Sequence, residues 1–232
     1  MVGVAGFALV DDDATCATET GYWENVLYGF RRTTIQEHQE LYRSFLLFIL
    51  FNISIQIFMP YLILYYEVAL GMENYVLVMA PAIILAAAVT AIWGRVYDRR
   101  GFSFSVRIAL LWLAAGYLIL FFCRNTVLVF LGSLLMMCGY LSGMAVFGAR
   151  IRDYTPVGKA GMLQGIRIFS QVLIPGVGGP LIGKTVLQHA DVIVNNDGTT
   201  SFIPNANIFL AALVPVMLVL FWTLFRRKER NS

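Results

Sequence analysis

Long apolar runs alternate with short polar junctions along most of this chain. A bilayer core of about 30 Å needs about 20 helical residues to cross it, and each run approaches or exceeds that length. Backbone groups in hydrocarbon must satisfy one another, so each run is predicted to be helical. The six runs are Phe45–Val68, Tyr75–Trp93, Phe104–Cys123, Val127–Ala149, Ile166–Leu187 and Ile208–Phe225. The fold class predicted is all-α integral membrane, with six transmembrane helices.

Three regions follow from this pattern. Residues 45–225 form the six-helix bundle, and residues 226–232 form a basic tail. Residues 1–44 form a polar lead-in whose apolar stretch Val2–Val10 is too short to span a bilayer. A helix is predicted within the lead-in from about Thr34 to Arg43.

Composition and charge fix the compartment and the orientation. Hydrophobic residues make up 59% of the chain and charged residues 13%, with a mean hydropathy of +0.72. Of the 17 Lys and Arg residues, only Arg124 and Lys184 fall on one side of the predicted membrane. The positive-inside rule therefore predicts a multi-pass protein of the cell (inner or plasma) membrane with both termini cytoplasmic. The basic residues are interpreted as topology signals and lipid headgroup contacts, and no nucleic-acid partner is expected.

Residues suited to catalysis or metal binding are sparse. The chain has three cysteines, Cys16, Cys123 and Cys138. Their odd number does not suit a set of disulfides, and their spacing does not match a metal-binding motif. His38 and His189 are predicted to lie on opposite sides of the membrane. We therefore expect no enzyme activity, no catalytic residue, no metal site and no cofactor.

Polar residues within the runs predict which spans face protein. They are rare in the third and sixth spans, which are expected to face lipid, whereas the first, fourth and fifth spans are expected to form the interior. Asn52 and Gln56 lie four residues apart, so they share one helix face. Together with Tyr140 and Gln171 they are candidate substrate-binding residues. The alternative for each is a hydrogen bond between helices, worth about 1 kcal/mol.

The fifth run contains the candidate helix break Pro175, Gly176, Gly179 and Pro180. Proline removes a backbone donor, and an interrupted span often marks the binding or bending region of a transporter. The alternative is a kinked packing helix with small residues, Gly161/Gly165 and Gly179/Gly183, at its contacts.

The junction after the fifth run predicts a small hairpin. Asp191–Asn195 and Thr199–Ile203 are rich in β-branched residues and flank Asn196-Asp197-Gly198, a turn-forming sequence. An irregular loop is the alternative.

The octapeptide GRVYDRRG, Gly94–Gly101, separates the second and third runs. Gly94 is expected to allow close helix approach. Asp98 could accept hydrogen bonds from a helix N-terminus or pair with an arginine, in a contact that forms in one conformation and breaks in another. The alternative is a basic loop that only sets topology.

Two motifs resemble the major facilitator superfamily. The pattern G-x-x-x-D-R-x-G at Gly94, Asp98, Arg99 and Gly101 is similar to that family's loop between the second and third helices of a six-helix half. Phe102 and Ser103 stand where the family often has further basic residues. Arg152-Asp153-Tyr154-Thr155-Pro156 resembles its loop between the fourth and fifth helices. The resemblance covers about Tyr22 to Arg230.

This resemblance implies half of a major-facilitator-type bundle, of the carboxy-terminal kind found in bacterial members. It implies secondary active transport of a small solute by alternating access, with a second six-helix half or another copy as partner and membrane lipids around it. The conformational gate would comprise Gly94, Asp98, Arg99, Arg100, Gly101, Arg152 and Asp153. A fragment, a truncated product and one chain of a two-chain transporter all stay open, as does a non-transporting scaffold or regulatory subunit.

Overall fold

The computed structural model describes residues 28–72, 74–188, 190, 192–194 and 200–229. Val2–Val10 and most of the lead-in lie outside these residues. Six helices are long and apolar enough to cross a membrane, as predicted. They are Gln39–Ala69, Val76–Arg100, Phe102–Phe122, Thr126–Tyr154, Ala160–Val186 and Asn207–Phe225, here called the first to sixth spans. The helix of the sixth span continues to Glu229.

The end of the lead-in is helical, with a break at His38. A 3-10 turn at Tyr28–Phe30 and a helix at Arg32–Glu37 precede the first span. The first span is α-helical over Gln39–Phe58 and then changes character. Pro60 lies in a 3-10 turn at Met59–Tyr61, where its missing N–H breaks the α-helical hydrogen bonding. After Leu62–Leu64 the span ends in a π-helical turn at Tyr65–Ala69.

The first, third, fourth and sixth spans form a four-helix core. The third span packs along the fourth and the sixth, and the first packs along the sixth and more lightly on the fourth. The second span lies against the fourth, and the fifth lies against the first. In their most apolar windows the second and fifth spans are 17% buried, against 44–50% for the other four. These two spans therefore flank the core.

The sequence-based assignment of facing is wrong for three spans. The third and sixth spans were expected to face lipid, yet both belong to the core, and the fifth was expected in the interior but is a flanking helix. Counting polar side chains misses contacts made by small residues at the backbone. Glycine and alanine bring helices together without adding polarity.

Three glycines bring the third and fourth spans into backbone contact. A Cβ added at Gly139 would lie 2.5 Å from Leu113 N and 2.7 Å from Ala109 O. A Cβ at Gly116 would lie 2.5 Å from Met136 N, and one at Gly132 would press on Ile119. At Gly116 and Gly139 no larger residue fits without a backbone shift.

The first and fifth spans also meet through glycine. Gly179 packs directly on Gln56, and a Cβ at Gly183 would lie 2.7 Å from Ile57 O. The expected Gly179/Gly183 packing pair is therefore confirmed. A Cβ at Gly161 would meet nothing within 4 Å, so among the described residues Gly161 makes no such contact.

The contacts between spans follow a two-fold pattern. Suppose that the first three spans are exchanged for the last three: first for fourth, second for fifth and third for sixth. Each main contact between spans is then replaced by a pair that is also in contact. The third–fourth contact becomes the sixth–first, the second–fourth becomes the fifth–first, and the third–sixth becomes itself. Because each triplet has an odd number of spans, the two triplets run in opposite directions. This is the packing expected of an inverted repeat.

A buried hydrogen-bonded junction joins three core spans. Ser54 Oγ donates to Ala212 O at 2.7 Å and lies 2.9 Å from the Tyr117 hydroxyl. Since the serine proton is used on the carbonyl, Tyr117 is the donor to Ser54. Both side chains are almost fully buried.

Tyr117→Phe is expected to lower the unfolding free energy by about 1 kcal/mol, because it removes one hydrogen bond between spans. Thermal unfolding of the purified chain in detergent measures the change. Tyr140→Phe is the matched control, because Tyr140 makes no hydrogen bond among the described residues and should unfold as the parent does. Equal midpoints for both variants would contradict a stabilising role for the junction.

Two short strands follow the fifth span. β1 (Val192–Val194) pairs antiparallel with β2 (Thr200–Phe202), with Val192 opposite Phe202 and Val194 opposite Thr200. The predicted hairpin strands are therefore confirmed. The turn residues 195–199 lie outside the described part of the chain.

Candidate functional site

The two ends of the bundle differ in chemistry. One end, here called the basic end, carries the start of the first span, the Gly101 turn and the junction between the fourth and fifth spans. The structure brings the two gate motifs together there, because the Tyr97 hydroxyl donates to Asp153 Oδ2 at 2.6 Å. Tyr97 is the residue before the motif aspartate. Sequence reasoning missed it because the pattern specifies no residue at that position.

Gly94 and Asp98 are exposed. A Cβ at Gly94 would meet nothing within 4 Å, so the expected close helix approach does not occur within the described residues. Asp98 makes no hydrogen bond or ion pair within the described part of the chain. Its role as a latch stays a prediction that needs a contact beyond this bundle.

The remaining gate residues make local contacts. Arg99 is exposed, and the Arg100 guanidinium lies 5.3 Å from the centre of the Phe104 ring across the turn. Arg152 Nε lies 3.9 Å from Asp153 Oδ1, with both side chains largely exposed, which is a weak ion pair. Asp153 thus contacts both Tyr97 and Arg152.

Gly101 ends the second span and begins the third, with φ at 75° and ψ at 176°. Residues with a Cβ rarely adopt this combination of positive φ and extended ψ, which is largely restricted to glycine. Gly101→Ala is expected to destabilise the chain by about 1 kcal/mol. Gly94→Ala lies seven residues earlier, inside a helix and with open space around it, and should be neutral or stabilising by up to about 1 kcal/mol. Thermal unfolding of both variants in one detergent tests the pair: the midpoint should fall for Gly101→Ala and stay level or rise for Gly94→Ala. An unchanged midpoint for Gly101→Ala would show that its positive φ does not require glycine.

Arg150 lies at the centre of the basic end, with 12% of its side chain exposed. Its Nε donates to Ser44 Oγ at 2.8 Å, and its Nη2 lies 3.5 Å from Glu40 Oε2. The guanidinium stacks over Phe102 at 4.1 Å from the ring centre. Arg150 therefore ties the first, third and fourth spans together. Only contacts between residues far apart in sequence reveal this role.

Asn52 is 5% exposed, and its Nδ2 donates to Phe48 O at 2.8 Å, one turn earlier. This local bond favours a packing role over solute contact. Gln56 is half-buried at the seam with the fifth span and makes no hydrogen bond among the described residues. Of the two, Gln56 is better placed to contact a solute.

Tyr140 and Gln171 are both half-buried and make no hydrogen bond among the described residues. Gln171 lies in a π-helical turn that packs on the first span. The first and fifth spans run in the same direction, and Gly179 lies beside Gln56. Gln171, eight residues before Gly179, is therefore level with Phe48, which is about one helical turn from Asn52. Between the second and fourth spans, Thr90 Oγ1 and Ser142 Oγ are 3.3 Å apart.

The fifth span is not broken at its prolines. It stays helical from Ala160 to Val186, and the irregularity is the π-helical turn Phe169–Leu173 immediately before Pro175. In a regular α-helix the carbonyl of Gln171 would accept from residue 175, which is a proline without an N–H. The wider turn follows from that missing donor. Gly176 has open space around it.

The opposite end of the bundle holds a tyrosine cluster. Tyr65 donates to Leu120 O at 2.9 Å and lies beneath Arg124, whose Nη1 is 3.3 Å from the Tyr65 hydroxyl. The Tyr66 hydroxyl and Ser133 Oγ are 2.5 Å apart. These bonds tie the π-helical end of the first span to the third and fourth spans.

No group of three or more His, Cys, Asp or Glu residues within the described ranges could hold a metal ion. Comparison of the chain with protein-family models, curated proteins and solved structures gives no match.

Proposed function

We propose that this chain is one six-helix half of a secondary transporter, which moves a small solute across a membrane by alternating access. The observation that carries the proposal is the two-fold packing of two oppositely directed three-span units. Inverted repeats of this kind are common in secondary transporters, which bind their substrates near the membrane midplane.

The flanking spans supply the surface for a second half. The second and fifth spans bury only 17% of their apolar windows within this chain. Both contain proline inside the helix, at Pro81 and Pro180, and proline permits bending in a membrane. A second half or another copy packed on these spans would place Gln56, Tyr140 and Gln171 near the joint interface.

The polar residues fit a solute path better than a catalytic centre. Gln56, Tyr140 and Gln171 offer donors and acceptors that the described residues leave unused. Polar groups held in hydrocarbon face protein or water, because lipid cannot satisfy them. The Tyr97–Asp153 bond would be a contact that breaks when the basic end opens.

Water accessibility tests the proposal without knowledge of the solute. In a background with Cys16, Cys123 and Cys138 replaced by serine, Gln56→Cys in native membranes should react with a small hydrophilic thiol reagent. Leu111→Cys is the control, since Leu111 is 53% exposed on the lipid side of the third span and should stay unreacted. An unreactive Gln56→Cys would mean that no aqueous cavity exists there, and the proposal would fail.

A further inference from the structure

A cavity of about 230 Å³ opens at the basic end between the first, fourth and fifth spans. Its polar lining is Arg152, Thr155, Gln164 and Arg167, and its apolar lining includes Phe45, Ile151 and Leu163. A water molecule occupies about 30 Å³ of liquid, so the cavity has room for a larger polar group.

The charge of this cavity is one-sided. Arg152 and Arg167 contribute two guanidinium groups, and no Asp or Glu is among the lining residues. Arg167 is half-buried and makes no hydrogen bond or ion pair among the described residues. The neighbouring carboxylate of Asp153 makes only a 3.9 Å contact with Arg152 and already accepts from Tyr97. Both guanidinium groups therefore keep donors free for an anion.

Neighbouring cations are already engaged. Lys159 donates to the Tyr28 hydroxyl at 2.6 Å, and this bond raises the pKa of the lysine. Arg150 is held by Ser44 and Glu40. The anion-binding capacity at this junction thus belongs to Arg152 and Arg167.

We propose that this cavity binds the phosphate of an anionic phospholipid headgroup. Guanidinium groups pair with phosphate oxygens through two parallel hydrogen bonds, and basic pockets between spans are suited to phospholipid headgroups. The apolar wall fits the glycerol and upper acyl region, which a free phosphate ion lacks. Val157, at the tip of the adjoining loop, is fully exposed and can insert beside the lipid.

The test is lipid titration of the purified full chain in detergent, followed by native mass spectrometry. We expect Arg152→Ala/Arg167→Ala to bind the first phosphatidylglycerol about tenfold more weakly than the parent chain, because it loses the charge-assisted hydrogen bonds that the two guanidinium groups can make to the phosphate. The matched control is Arg32→Ala/Arg95→Ala, which removes two exposed arginines outside the cavity and should stay within about twofold of the parent.

A second variant tests whether lipid binding needs the space of the cavity as well as its charge. Ala160→Phe fills the lining without changing charge and should also weaken binding of phosphatidylglycerol. The proposal is overturned if both arginine pairs weaken binding equally, if the cavity pair leaves it unchanged, or if Ala160→Phe leaves it unchanged. Displacement of the lipid by excess inorganic phosphate would assign the site to a free anion instead. If the double variant fails to fold, Arg167→Gln replaces it in the same comparison.

Discussion

Gly139→Ala should destabilise the bundle more than any other glycine-to-alanine change proposed above. The new methyl group would lie 2.5 Å from Leu113 N and 2.7 Å from Ala109 O, both backbone atoms that no rotamer change can move aside. Overpacking in a close-packed interior costs about 1–3 kcal/mol, and a rigid backbone neighbour places this site at the upper end. The third and fourth spans would have to separate along their shared seam.

Thermal unfolding in detergent, followed by size-exclusion chromatography, measures this loss. A decrease of about 3 kcal/mol lowers the midpoint of a chain of this size by about 6–12 °C. Gly148→Ala is the matched control, because it lies on the same span with nothing within 4 Å of the added Cβ. If both variants unfold at the parent temperature, the close packing of the third and fourth spans is not what stabilises them.

Arg150→Ala should be the most damaging change at the basic end. It removes the bond to Ser44, the contact with Glu40 and the stacking on Phe102 in one step. Hydrogen bonds to charged groups contribute about 1.5–3 kcal/mol and stacked cations about 0.5–1 kcal/mol, so a total loss of about 2–3 kcal/mol is expected after allowance for partial exposure.

Two variants show whether geometry or charge is responsible. Arg43→Ala removes an exposed ion pair with Glu40 at 2.9 Å and should cost less than about 0.5 kcal/mol. Arg150→Lys keeps the charge but loses the planar group that bonds Ser44 while stacking on Phe102, so it should lose most of the stability. A fully stable Arg150→Lys variant would show that charge alone suffices.

Sequence patterns predicted the spans well because length and the absence of charge are local properties. The six apolar runs, a helix near the end of the lead-in and both strands of the hairpin can be predicted from neighbouring residues alone. The first span starts at Gln39, six residues before the apolar run, because its polar first turns continue the same helix beyond the hydrocarbon.

The faces of the spans could not be predicted in the same way. Polarity suggested that the third span faces lipid, yet Gly116 and Gly139 place its backbone against the fourth. Similarly, Arg150 and Ser44 are 106 residues apart, and nothing local to either residue indicates the bond. The sequence did contain one indication of this contact. Ala109 and Gly116 are small residues seven positions apart, so they share one face of the third span, but hydropathy does not reveal such spacing.

The two-fold packing conceals a mechanical difference. The third–fourth seam is made by glycines against backbone, whereas its counterpart between the sixth and first spans contains no glycine on either helix. That second seam consists of side chains such as Phe58 and Phe209, whose ring centres are 5.8 Å apart. Backbone contacts cannot yield by changing rotamers, but side-chain contacts can. The third and fourth spans should therefore move as one stiff unit, while the first and sixth can shift against each other by changing rotamers.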